Sequence, residues 1–202
     1  TRYVVLDRDY VADVVQACDS LSFKRHYWKY PVLGNLLYKG FYQRADAEAE
    51  AARMKTAGLD VIIRNVDAFS SLGFFSDPLY SFMLGYPEWQ LAELILHELA
   101  HATLFIKGEE QFNEEFATWI GRHGAVQYLR YRYGASSPGE LAMAGARSDA
   151  ERFSTFLAET ARQLEIIYAD PTLDAAEKTS RKAAVLSRRA EEYRLTAVHL
   201  FA

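Results

Sequence analysis

The sequence has a single cysteine, five prolines among 202 residues and no long apolar run. The single cysteine, Cys18, excludes an internal disulfide bond and a metal site built from thiolates. No stretch reaches the ~20 apolar residues that a membrane-spanning helix requires. Basic residues are fewer than acidic ones, and the formal net charge of −4 argues against nucleic acid as the main partner.

Half of the residues are hydrophobic and 14% are aromatic, which is typical of a globular protein. The length allows one domain with a substantial core, or such a domain with a helical appendage. The turn-forming stretch at 133–139 predicts a linker. We therefore expect a core at residues 1–134 and a helical extension at 135–202 that packs on it.

The N-terminal half alternates between strand and helix signals. An Ala- and Glu-rich stretch, Arg44 to Ala57, predicts a helix that ends at Gly58. Residues 19–31 predict a loop, and Val- and Tyr-rich segments predict strands at 3–6, 10–17, 36–42 and 61–66. The order strand, helix, strand favours a right-handed crossover between parallel neighbours. The predicted fold class is α+β, with a small mixed sheet in this half and a helical pair at the C-terminus.

The central motif is His97-Glu98-Leu99-Ala100-His101. Pro87 and Gly108 predict the ends of its helix, and apolar side chains at helical spacing predict that the helix is largely buried. Residues four apart share a helix face, so both imidazoles can bind one metal ion. Glu98 is offset by about 100° and is expected beside the metal, where a water would lie.

Two histidines leave a catalytic zinc short of one protein ligand. A second helix over 111–131, returning antiparallel, would bring Glu114 to the height of His101 at an interhelical distance of ~8–10 Å. Glu114 is therefore the predicted third ligand, with Glu110 and Glu115 as alternatives.

The stretches His97–Gly108 and Phe112–Ala117 resemble the bacterial predicted-aminopeptidase family of zinc peptidases, and Asn113-Glu114 resembles the third-ligand helix of gluzincins. The resemblance implies a zincin-like fold and one Zn²⁺ per chain on His97, His101 and Glu114. It also implies peptide hydrolysis, as an aminopeptidase, with Glu98 as general base. The thermolysin-like pattern has an Asp four residues after the third ligand, where this chain has Thr118, so the outer-shell partner of the ligating histidine differs.

The substrate is expected to be a peptide that pairs with an edge strand before the metal helix. The candidate segment consists of Ser70, Ser71, Leu72, Gly73 and Phe74. The chain begins at Thr1, which favours a processed or truncated product. Members of the predicted-aminopeptidase family that the chain resembles are longer than this chain and often begin with a lipoprotein-type export signal. This implies the bacterial periplasm or cell envelope, with membrane tethering through a segment absent here; the cytoplasm is the alternative.

Other interpretations of the motif remain open. Glu98-x-x-His101 is also half of a di-iron carboxylate motif, but the sequence lacks the second Glu-x-x-His that such a site requires. The histidines could instead be satisfied by hydrogen bonds, or the chain could be a zinc-bound scaffold without activity. Glu93 is expected either at the rim of the site or as a hydrogen-bonding neighbour of its ligands, and Arg122 either binds a substrate carboxylate or lies on the surface.

Overall fold

The computed structural model describes residues 3–30, 34–66, 79–106 and 109–200. The chain divides into two compact units, one of Thr1–Ala12 with Asn65–Ala146 and the other of Asp13–Arg64 with Arg147–Ala202. The combination of helices and small sheets confirms the α+β class. The predicted folding domains, 1–134 and 135–202, stay a prediction.

The largest sheet in the described residues has three strands in the order β5-β2-β6, which are Lys39–Phe41, Ala12–Asp19 and Leu59–Val66. β2 and β5 are antiparallel, with Val14 opposite Gly40. Helix α1, Arg44–Thr56, follows β5 and ends before Gly58, whose φ of +82° is the left-handed conformation that glycine favours. The helix and its glycine stop are as predicted.

The predicted crossover between parallel neighbours is wrong. The strands on either side of α1, β5 and β6, do not pair with each other because β2 lies between them. The physical reason is burial: most β2 residues are buried, Val15 completely, and so this strand takes the central position. Two β2 side chains pack with α1 in one hydrophobic core, which consists of Val15, Ala17, Trp28, Ala47, Ala51 and Met54.

Two short sheets complete the described β structure. β3, Trp28–Tyr30, pairs antiparallel with β4, Gly34–Leu36. The predicted loop over 19–31 therefore ends in a strand, because Trp28 is buried in the core. β1, Tyr3–Val4, pairs in parallel with β7, Leu79–Tyr80. A 3-10 helix, Ser81–Gly85, then leads into the central helices.

Four long helices follow: α2, Glu88–Thr103; α3, Glu110–Tyr133; α4, Pro138–Ala169; and α5, Ala175–Leu200. α4 begins at Pro138, inside the predicted linker at 133–139. Pro138 suits a first helical turn, and Glu140 accepts hydrogen bonds from Ser136 N and Arg130 Nε at 2.8 Å. These contacts extend the helix to the N-terminal side.

The C-terminal helical pair is held by a buried arginine. Arg189 of α5 donates to Thr160 Oγ1 at 2.9 Å and to Phe156 O at 3.0 Å, both on α4. Residues 147–202 of this pair belong to the same compact unit as residues 13–64 and contact them. In one of these contacts, Lys182 Nζ donates a hydrogen bond to Ser20 O at 2.8 Å. Among the described helices, none has the length and apolarity needed to cross a membrane.

Candidate metal centre

The two motif histidines lie in the second half of α2. The helix starts after Pro87, whose carbonyl accepts the N–H groups of Gln90 and Leu91, and ends where Leu104 becomes extended. The prediction that α2 is largely buried is wrong, because Leu99 is 55% exposed and only Ala100 and His101 are buried in this helix. The helix also ends at Thr103, earlier than the Gly108 stop that the sequence predicts.

Helix α3 returns antiparallel to α2, as predicted. Its C-terminal end meets the start of α2, where Tyr133 Oη donates to Glu88 Oε2 at 2.6 Å and Tyr128 donates to Oε1. In the middle, a Cβ at Gly121 would lie 2.7 Å from Glu93 O and 3.2 Å from His97 Cβ. Gly121 therefore lets the two backbones approach each other beside the first histidine.

The turn between the helices is fixed by a buried asparagine. Asn113 is 1% exposed, and its side chain donates to Ile106 O and accepts from Ile106 N, both at 2.8 Å. One side chain thus satisfies both polar backbone groups of a residue beyond the end of α2. Because Asn113 precedes Glu114 in α3, this clamp fixes where the predicted third ligand enters the site.

The structure brings His97, His101 and Glu114 together. The two Nε2 atoms are 3.2 Å apart, and Glu114 oxygens lie 3.6 Å from His97 Nε2 and 3.5 Å from His101 Nε2. All three ligand atoms lie within 4.8 Å of one another. Ligands at 2.0–2.2 Å around a tetrahedral zinc would be separated by about 3.3–3.5 Å, so the residues present fit such an ion.

The donor set is also chemically suited to zinc. Two imidazoles and a carboxylate match the composition of a catalytic zinc site that keeps a fourth position for water or substrate. The His97–His101 distance would also permit an Nε2–H···Nε2 hydrogen bond if one ring carried its proton there. His101 Nδ1 is buried and has no hydrogen-bond partner among the described residues, so no outer-shell acceptor is identified for this ring.

The structure gives a different result for each of the other predicted site residues. Glu98 follows His97 and is half-buried, with its Oε2 atom buried. Glu115 accepts a hydrogen bond from Gln111 at 2.8 Å and is not in the cluster. The side chain of Glu110 and the segment Ser70, Ser71, Leu72, Gly73 and Phe74 lie outside the described residues.

A charged pair also joins the two helices. Arg122 Nε is 3.6 Å from Glu93 Oε1, linking α3 to α2. His123 stacks on Trp119, with its Nδ1 2.8 Å from Trp119 O.

Sequence reasoning missed two supporting residues, Asn113 as the clamp of the turn and Gly121 as the close-contact point. The signal for Asn113 was its place one residue before the predicted ligand Glu114. The signal for Gly121 was its place inside a helix, because glycine destabilises a helix interior and is expected there only when packing requires it.

The fold and the cluster define the class of candidate site: three side chains on two antiparallel helices that could hold a metal ion. The family described as "Putative aminopeptidase" matches residues 1–200, and the chain belongs to this family. No curated protein and no solved structure shows a significant match. The family description agrees with the expected peptidase activity.

Proposed function

We propose that this protein is a zinc-dependent peptidase. The observation that carries the proposal is the convergence of the ligand atoms of His97, His101 and Glu114 within 4.8 Å. Glu98, which follows His97 in the sequence, is half-buried. One zinc per chain would be held by these three residues. The proposed substrate is a peptide, and the family description supports release of N-terminal residues. Location in the bacterial cell envelope is proposed from the resemblance alone.

The chain's own residues have separate roles in this proposal. When bound, zinc would supply Lewis-acid chemistry, polarising the scissile carbonyl and lowering the pKa of a water. Glu98 accepts the proton of the attacking water and passes it to the leaving amine. Glu98 is offset from the histidine face of α2, so its carboxylate can act as a base while the histidines bind the metal. A purely structural site would not need this base.

The test combines metal content with turnover. Replacing His97, His101 or Glu114 with Ala should remove most of the zinc, whereas Glu115→Ala, one residue along α3, should keep it. Glu98→Gln should keep zinc and fold but lose about 10²–10⁴-fold in peptidase rate, as expected for removal of a general base. Loss of zinc in Glu98→Gln would contradict the assigned role, and full zinc in Glu114→Ala would contradict the ligand set.

The end-specificity is tested with peptides that carry free or acetylated N-termini. An aminopeptidase should cleave only the free form, and efficient internal cutting of acetylated peptides would contradict that label. A metal-replete protein that cleaves no peptide would instead support the scaffold interpretation.

A further inference from the structure

One face of the α2–α3 pair is apolar and open to solvent. Two grooves lie on it, one of about 450 Å³ beside the first half of α2 and one of about 140 Å³ beside the second half. Leu96 lines both grooves, which are therefore adjacent. Other lining side chains come from both helices and include Ile95, Leu99 and Phe116. The stretch of α2 that lines the grooves, Glu88 to Thr103, is about 22 Å long.

This face does not include the predicted metal ligands. Ile95 and Leu99 each lie two residues from His97, which is about 200° around the helix. None of His97, His101 and Glu114 lines either groove. A partner bound to this face would therefore leave the predicted ligands uncovered.

The face carries almost no charge. Among the described residues that line the grooves, Glu88 is the only acidic or basic one, and it lies at one end. Its two carboxylate oxygens accept hydrogen bonds from the hydroxyl groups of Tyr128 and Tyr133, so its charge is already stabilised within the chain. A surface that complements this face is therefore apolar and nearly uncharged, as the face itself is.

The exposed area is large enough for a dimer interface. Phe112 stacks on Phe116, Trp119 is three residues from Phe116, and Tyr131 is seven residues from Gly124, about 20° off its direction. The exposed side chains of the face are Ile95 (37%), Leu99 (55%), Phe112 (44%), Trp119 (56%), Tyr128 (36%) and Tyr131 (93%). At about 200 Å² for each fully exposed side chain, these residues expose about 600 Å². Two such faces would bury about 1,200 Å², which is the lower end of the range for stable interfaces.

We propose that this face pairs with the same face of a second copy of the chain and forms a two-fold symmetric dimer. Two-fold dimers are the commonest soluble oligomers, because one self-complementary surface serves both subunits. The inference does not depend on the proposed peptidase activity, since the interface and the metal cluster use different side chains.

A two-fold axis at Leu96, the residue shared by the two grooves, gives a consistent packing. Leu99 lies about 4.5 Å past this axis and Ala92 about 6 Å before it. Leu99 of one copy therefore meets the larger groove of the other copy at the height of Ala92, a small side chain that lines this groove. The two Glu88 carboxylates would be about 24 Å apart, more than twice the Debye length of about 10 Å at 0.1 M salt.

The experiment measures the mass of the zinc-loaded 202-residue chain by sedimentation over a concentration series that reaches high micromolar values. The wild type should reach twice its chain mass of 23.0 kDa. Leu99→Glu places a carboxylate in an apolar interface twice per dimer and should raise the dissociation constant more than about a hundredfold. Leu99→Ala, a milder change at a position that is more than half exposed, should raise it about tenfold. Circular dichroism and zinc content should match the wild type in both variants.

Leu195→Glu is the matched control, because Leu195 is also exposed but lies on α5 and lines neither groove. It should leave the dimer intact. A wild type that stays monomeric throughout the series would overturn the inference and leave the proposed function standing. A dimer that persists in Leu99→Ala and Leu99→Glu, or that Leu195→Glu dissociates equally, would place the interface elsewhere and also overturn it. A dimer that only the Leu99 variants dissociate would support the inference even if no peptide is cleaved.

Discussion

Gly121 offers a direct test of how helices α2 and α3 are held together. A Cβ at this position would lie 2.7 Å from the backbone oxygen of Glu93, and backbone cannot rotate away as a side chain can. An ordinary carbon–oxygen contact is about 3.4 Å, so Gly121→Ala must separate α2 and α3 locally by about 0.7 Å. Overpacking of this kind typically costs ~1–3 kcal/mol, partly offset by the ~1 kcal/mol gain in helix propensity.

The chain supplies two matched controls. A Cβ at Gly124 would meet Leu96 Cδ1 at 2.6 Å, the end of a flexible side chain that can change rotamer, and a Cβ at Gly145 would meet nothing within 4 Å. Gly145→Ala should therefore show the propensity gain alone, and Gly124→Ala should fall between the other two.

The separation of the helices should also weaken zinc binding at the proposed site. Glu114 lies only 3.5–3.6 Å from the two Nε2 atoms, so a shift of several tenths of an ångström disturbs the ligand spacing. Urea denaturation would give the free energies of unfolding, and competition with a zinc chelator would give the affinities. Gly121→Ala should be about 1–3 kcal/mol less stable than Gly145→Ala and should bind zinc more weakly. Unfolding of both variants at the same urea concentration, together with equal zinc binding, would show that the close approach of α2 and α3 does not depend on Gly121.

Two further outcomes follow from described contacts. Asn113→Ala removes both hydrogen bonds to Ile106 and should lower the free energy of unfolding by about 1–3 kcal/mol, whereas Gln111→Ala, an exposed position two residues earlier, should change it by less than about 0.5 kcal/mol, both by urea denaturation. The hydrogen bond from Arg53, with that of Trp28 Nε1, lowers the pKa of the buried Glu50 from 4.5 to about 2. Ionised Glu50 thus contributes at most about 3 kcal/mol to the free energy of unfolding. This contribution is fully present above pH 4.5 and is lost as the pH falls towards 2. Glu50→Gln should therefore narrow the difference in thermal stability between pH 7 and pH 3, and an unchanged difference would contradict this assignment.

Local signals predicted the elements that depend on local interactions. The glycine stop of α1 requires only a left-handed residue, and Gly58 supplies it with a φ of +82°. The pairing of His97 with His101 follows from helical spacing alone, so it too was readable before any tertiary contact was known. The approach of Glu114 required one further assumption, namely a short antiparallel turn after α2.

The errors occurred where distant residues decide the outcome. The central position of β2 depends on the burial of its side chains between two other strands, which the order of elements along the chain does not reveal. The start of α4 at Pro138 depends on Glu140 bonding to Arg130, ten residues earlier on another helix. The exposure of Leu99 depends on what packs against α2, and apolar periodicity carries no information about that partner.

The position of Glu114 shows how the side chain of an exposed predicted ligand can be placed accurately. Its side chain is 66% exposed, so few contacts hold the carboxylate itself. The backbone that carries it is fixed at two points: Asn113 joins the start of α3 to Ile106, and two turns later Gly121 contacts the main chain of α2. A helix fixed at two points has its height and rotation determined, and these set the direction of every side chain between them. The position of Glu114 in the cluster therefore depends on the packing of the two helix backbones. His101 differs, because its side chain is buried and is packed by neighbouring residues.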